Sequence, residues 1–354
     1  MKVKRLFFTA AAFFMAAYVF AYNPPVGGQT LFNLSSPTQL ASASSCAGGG
    51  IFMPGADSIA FNPALPALEQ RIQLDAAFSA LISTNSDDDR SFNAAFQTGI
   101  LIPTKRFVAS GILNGVFCKS IDLWLGNTLN FRAGLSKEVS EKLSVGANVN
   151  AGVLWGAGSD WSLGLDAGFL YRLGQLGFFR DFRIGAAALN LGKYYSGEEL
   201  LPIDAEHTAD DFPSLVTIRG GIGALLFETE QFKGGFSFDI ATPAFQNVIF
   251  DMGLQFAFKD MLYLSVAESI DVMEIKNEHY NLMPAISLGV KFDLNARGNE
   301  YLKSRSWDSN EMLASLAWQQ KYEHIQAISG GTRLYLGQTD TQPPVIQLWN
   351  GAED

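Results

Sequence analysis

Between Arg71 and Leu294 the chain keeps a side-chain alternation of period two, and nowhere after its first residues does it hold an apolar run long enough for a membrane helix. A period of two sends successive side chains to opposite faces of a strand. In one segment Leu143, Val145, Ala147, Val149, Ala151, Val153 and Trp155 share a face, opposite Ser144, Gly146, Asn148, Asn150 and Gly152. In a second, Trp161, Leu163, Leu165, Ala167, Phe169 and Tyr171 oppose Asp160, Ser162, Gly164, Asp166 and Gly168. A third sets Val248, Phe250, Met252, Leu254, Phe256 and Phe258 against Ile249, Asp251, Gly253, Gln255 and Ala257, and shorter matches run through 129–135 and 232–240. Such faces are too long and too apolar for a sheet bathed in water. A closed antiparallel barrel resolves this, because its apolar face meets lipid while every backbone group pairs with a neighbouring strand.

Composition supports this reading. The chain is 48% hydrophobic and 17% charged, against about 25% charged in ordinary soluble domains. Its formal net charge of -10 argues against a nucleic-acid surface and against a positively charged anion pore. Lys2, Lys4 and Arg5, the apolar run 6–20 and the small Ala21 form a secretory signal pattern, so residues 1–21 are expected to be removed. In the oxidising compartment beyond, Cys46 and Cys118 admit one disulfide, although two separate buried thiols are the expected state.

Strands are expected near 71–81, 90–102, 105–117, 127–137, 142–155, 159–172, 181–191, 214–227, 232–243, 247–258, 261–269 and 283–294. This gives an all-β transmembrane antiparallel barrel of twelve to fourteen strands over residues 71–294. Tight links such as Pro103-Thr104, 228–231 and Lys259-Asp260 suit periplasmic turns, while 87–89, 192–213 and 270–282 suit outside loops. The link 173–180 is long for a turn. The alternating segment 287–294 reads as the closing strand, which leaves 295–354 as a short C-terminal periplasmic extension. There, Asp308 or Ser309 would cap a helix to Ala327 bearing Leu313, Leu316, Ala317 and Ile325, ended by Gly330-Gly331. The tail with Pro343-Pro344 reads as a segment docked on the barrel mouth, or as a partner-binding peptide.

Residues 22–70 are rich in Gly, Ser, Ala and Pro, and carry Cys46-Ala47-Gly48-Gly49-Gly50 followed by 57–65, which contains Asn62-Pro63-Ala64. A small-residue segment with an Asn-Pro-Ala motif, placed just before the first strand, resembles the N-terminal hatch of the FadL-like long-chain fatty acid transporter family, and most of all its treponemal branch. The resemblance implies fourteen strands, a lumen plugged by 22–70, and passive uptake of hydrophobic compounds such as long-chain fatty acids. Asn62, Pro63 and Ala64 are the positions carried over. Pro63 fixes its own φ and keeps Asn62 out of the helical region, and the Asn62 amide is free to bond nearby backbone. Because the inward faces are mostly Gly, Ser, Asn and Asp, an apolar ligand pocket would come from the hatch, with Phe52, Met53 and Phe61 as candidate lining.

Enzymatic chemistry finds little support. His207, His279 and His324 are the only histidine bases, and they fall in expected loops and in the expected C-terminal helix. The acidic groups 87–89 and 204–211 lack the spacing of a calcium loop and read as solvated surface, so no metal or cofactor is expected. The expected partners are hydrophobic small molecules and outer-membrane lipid, with a periplasmic partner conceivable through 295–354. The rival readings are a general diffusion porin whose N-terminal segment lies aside, and an envelope platform that docks partners through its C-terminal extension.

Overall fold

The alternating segments form the wall of a cylinder. Its strands are β1 (Ile72–Ser83), β2 (Asn93–Pro103), β3 (Val108–Phe117), β4 (Asn127–Glu138), β5 (Leu143–Trp155), β6 (Ser159–Leu176) and β7 (Phe179–Lys193). They continue with β8 (Thr217–Glu228), β9 (Phe232–Pro243), β10 (Ile249–Phe258), β11 (Leu262–Asp271), β12 (Ala285–Asp293), β13 (Glu311–Lys321) and β14 (Ile325–Leu336). Each strand pairs antiparallel with its neighbours in sequence. β14 then returns to β1, from Ile72↔Leu336 to Ser83↔Ile325, and closes a fourteen-strand barrel. Closure leaves no strand edge unpaired, the condition for a sheet to sit in hydrocarbon. The computed structural model describes residues 33–41, 45–84, 93–104, 106–117, 127–155, 159–195, 216–276, 283–294, 300, 310–321 and 325–337.

Burial follows the alternation. On β5, Ser144 and Asn148 are 1% and 3% exposed while Val149 and Val153 are 49% and 48% exposed. The same contrast recurs on β6, where Asp166 is buried between exposed Leu165 and Ala167. A belt of exposed apolar side chains around a closed barrel is a lipid-facing surface, and this is the architecture of an outer-membrane barrel. Trp155, Trp161, Phe232 and Phe292 stand near strand ends, where interfacial aromatics belong. The end at which β1 begins carries tight connections, such as 104–107 and 229–231, and is taken as periplasmic.

Three sequence expectations change. The barrel does not finish at Leu294, and 295–354 is not a helical appendage. Residues 311–336 form β13 and β14, paired to β12 and β1. The apparent helix spacing arose because β13 is apolar on both faces. Leu313 and Ala317 point into the lumen at 8% and 4% exposure, whereas Leu316 faces lipid at 61%. β14 likewise turns Ile325, Ala327 and Tyr335 inward, which hides its period of two. Finally, the link expected at 173–180 is a tight turn at Gly177-Phe178, since β6 and β7 run on as a longer hairpin. The twelve other strands lie where the alternation put them.

The signal segment, Cys118, the three histidines, the acidic groups 87–89 and 204–211, and the Pro343-Pro344 tail all lie outside the described residues.

Candidate functional site

Residues 33–41 and 45–70 lie inside the barrel as a short helix α1 (Pro37–Ala41), two 3₁₀ turns at Ala56–Ala60 and Leu65–Leu68, and connecting coil. The chain here is too rich in Gly and Pro to build regular structure of its own, so its backbone groups are satisfied by side chains of the wall. Asn148 donates to the carbonyl of Ile59 at 3.1 Å, Gln73 to that of Pro54 at 3.0 Å, and Gln255 accepts from the Ile51 amide at 2.7 Å. The inward polar faces read from the sequence are therefore the sockets of a plug.

Asn62 is fully buried at the centre of this arrangement. Its Nδ2 donates to the carbonyls of Cys46 at 2.7 Å and Phe169 at 2.9 Å, while its Oδ1 accepts from the Ala64 amide at 2.9 Å. One side chain thus joins two stretches of plug to each other and to β6, and Pro63 holds the bend between Asn62 and Ala64. The wall opposite has no side chains to spare. A Cβ at Gly146 would sit 2.0 Å from the Pro63 carbonyl oxygen, and one at Gly168 would sit 2.1 Å from Asn62 Oδ1. These two glycines, paired across β5 and β6, are what let the motif lie flat against the sheet.

Three lumenal arginines, which sequence reading did not single out, clasp the plug from different sides. On β14, Arg333 Nη2 bonds Asp57 of the plug and its Nε bonds Asp75 of β1, each at 2.8 Å. On β8, Arg219 reaches Asp239 and Asp251 at 2.6 Å each, and Asp239 in turn accepts from the Ser45 hydroxyl and the Cys46 amide, both at 2.6 Å. On β7, Arg183 donates to the Gly49 carbonyl at 2.6 Å and lies 4.5 Å over the Phe52 ring. Planar guanidinium groups suit this work, because each satisfies several acceptors in fixed directions. For Arg333 and Arg219 the signal in the sequence is an arginine at a lumen-facing position of a strand whose neighbour offers an aspartate close to the same level, whereas Arg183 has no such partner on β6 or β8.

The plug also brings apolar surface. Leu34, Leu40 and Ala41 pack on Leu81, Val116, Ala317 and Ile325 toward the outer end. Phe61, Ala64, Leu65 and Leu170, with Phe52 against them, form a second cluster in the inner half. A cavity of about 100 Å³ lies beside it, bounded by Phe52, Met53, Phe61, Leu65 and Leu313 with Arg333 at one side. A second cavity of about 110 Å³ lies further out and is mixed, with Asn114, Asn130, Arg132, Arg219 and Asp251 in its wall beside Leu189 and Ile249. Phe61, itself only 4% exposed, borders both. The structure thus gathers Phe52, Met53 and Phe61 around one cavity and places Asn62, Pro63 and Ala64 in the contact that holds Phe61.

Cys46 is a free, buried thiol whose Sγ lies 3.2 Å from the Gly185 carbonyl oxygen. Burial, and then the neighbouring Asp239 carboxylate, push the thiol well above its ordinary range. A group with so little thiolate and no solvent contact reacts only when the plug moves. In a Cys118→Ser background, maleimide labelling of Cys46 is expected to be at least about a hundredfold slower in the folded barrel than in the unfolded chain. Rapid labelling of the folded form would show that the plug leaves this contact readily.

No known family profile matches the sequence, and no curated protein matches it. Solved structures do match in fold. The CymD monoaromatic hydrocarbon channel aligns with a TM-score of 0.52 at 12% identity, covering 88% of this chain and 100% of its own. The Ralstonia pickettii toluene transporter TbuX aligns with a TM-score of 0.52 at 11% identity, with the same two coverages. A deltaS2 mutant of the TodX monoaromatic hydrocarbon channel gives a TM-score of 0.52 at 11% identity, covering 87% of this chain and 99% of its own. The fourteen-strand fold of this chain is therefore that of channels and transporters for hydrophobic compounds, the fold that the resemblance to the FadL-like family implied.

Proposed function

We propose that this barrel is an outer-membrane channel for passive uptake of hydrophobic compounds, with long-chain fatty acids as the first candidates and monoaromatic hydrocarbons as the second. The observation that carries this reading is the division of labour inside the lumen. The wall supplies most of the polar sockets, and the plug supplies most of the apolar side chains around one cavity, Phe52, Met53, Phe61 and Leu65, with Leu313 of β13 beside them. A water-filled porin has no use for such a plug, whereas an apolar solute needs a dry surface on its way through a polar lumen. At about 100 Å³ the cavity is smaller than the roughly 150 Å³ cavity known to hold a benzene ring. A ligand therefore enters only as the plug yields, and Phe61, standing between the two cavities, is the side chain that it displaces.

The test is a titration of the detergent-folded barrel with a fluorescent long-chain fatty acid, with toluene as competitor, alongside conductance in planar bilayers. Saturable binding with little conductance is expected, and Phe61→Ala should change the affinity by about tenfold or more, the scale of removing one buried aromatic contact. Large steady conductance without binding of either compound would make this a general porin.

A further inference from the structure

We propose that the β6–β7 hairpin docks into the periplasmic leaflet of the membrane, with its aromatic tip among phospholipid chains at the headgroup border. On its β5 side the hairpin outgrows the wall, while on the other side β8 follows it as far as the pair Arg180↔Leu225. β5 gives out at the pair Leu143↔Tyr171, followed by one more bond from the Arg172 amide to the Lys142 carbonyl, whereas β6 continues to Leu176. What continues is apolar: Leu173 and Leu176 are 39% and 48% exposed, and Phe178 at the tip is 72% exposed, against 61% for Leu316 on the lipid-facing wall.

The hairpin bends outward and does not fold over the lumen. Register breaks fall between Arg172 and Gly174 and between Gly174 and Leu176, with positive φ at Gly174 (77°), Gly177 (63°) and Asp181 (46°). Breaks of this kind bend and twist a ribbon. The Phe179 ring consequently meets Phe178 at 3.9 Å, Phe182 at 5.9 Å and, two strands away on β9, Phe236 at 5.3 Å. Phe236 stands on the lipid-facing side, in the same set as Phe232 and Ile240. Beneath this cluster Phe182 and Ala224, the register partner of Phe236, are 9% and 0% exposed although both point away from the lumen.

The occupant follows from position. The patch is continuous with the wall that faces lipid, running on to Phe227 and Phe256, whose rings lie 6.4 Å apart. A protein partner would have to approach from the side where the bilayer already lies. The exposed Arg180, just after the tip, suits the phosphate of a headgroup. Seating the hairpin in lipid also steadies the stretch of β7 that carries Arg183, and with it the clasp on Gly49.

The test places an environment-sensitive fluorophore at Phe178→Cys in the Cys118→Ser background, with Ser140→Cys in the exposed β4–β5 turn as control. Both proteins are reconstituted in phosphatidylcholine–phosphatidylglycerol vesicles, and heat-modifiable gel mobility verifies that both have folded. The probe at 178 should be quenched by lipid carrying a shallow nitroxide, and iodide should quench it about fivefold less than the probe at 140. Equal iodide access at both positions with no lipid quenching overturns the proposal. So does protection at 178 that appears only after a periplasmic protein extract is added, since that would make the tip a protein-docking site.

Discussion

Deleting residues 22–66 is expected to turn a barrel of low conductance into an open pore, with single-channel conductance rising by about tenfold or more. The wall does not need the plug for its own hydrogen bonding, because all fourteen strands pair in a closed cycle. Inward side chains such as Asn148 and Ser265 are short and bond the plug directly, through the carbonyls of Ile59 and Ala41. Water can take the plug's place around them at little cost, and the same holds for Arg183, Arg219 and Arg333 once they face an aqueous channel. The measurement is conductance in planar bilayers, with gel mobility to show that the shortened chain still forms a barrel. Conductance that stays low in a folded deletion variant would mean that the outer loops, and not the plug, close the lumen.

The second large effect is expected at Arg333. Arg333→Met leaves Asp57 and Asp75 buried against each other without their shared cation, and breaking a buried ion pair from one side costs about 3–5 kcal/mol. Much of that cost can be relieved by ejecting the Asp57 segment, so the variant should lose thermal stability and gain conductance together. Adding Asp57→Asn and Asp75→Asn to Arg333→Met should recover most of the stability, because the uncompensated charge is then gone. The midpoint of thermal unfolding followed by circular dichroism checks both. An unchanged midpoint in the single variant would show that the guanidinium adds nothing to the hold on the plug.

The sequence was most readable where one face of a strand met lipid and the other met small polar groups. β5 and the part of β6 up to Tyr171 satisfy that condition, and β10 does so between Phe250 and Phe256, so their outward and inward sets could be written down from the chain alone. β13 and β14 do not, since Leu313, Ala317, Ile325 and Ala327 turn apolar groups inward to meet the plug. What decides their pattern is a contact with residues nearly three hundred positions earlier, and no local period records it. The same distance hid the site. Asn62, Phe52, Met53 and Phe61 stand out within one short segment, whereas Arg333 becomes meaningful only once Asp57 and Asp75 are known to face it. In the β6–β7 hairpin the two register breaks disturb the alternation past Tyr171, so the strands were read as ending early.

The closing seam sets an ordering rule for biogenesis. β1 and β14 zip along twelve residue pairs, and the guanidinium at the seam belongs to the last strand, while its two carboxylates belong to the first strand and to the plug before it. The chain emerges plug first, so during insertion Asp57 and Asp75 wait as a pair of unmatched anions until the final hairpin arrives. Maturation of the plug is thereby tied to completion of the wall. A chain truncated before β14 forfeits both at once, which makes the seam a built-in check that only full-length copies are sealed.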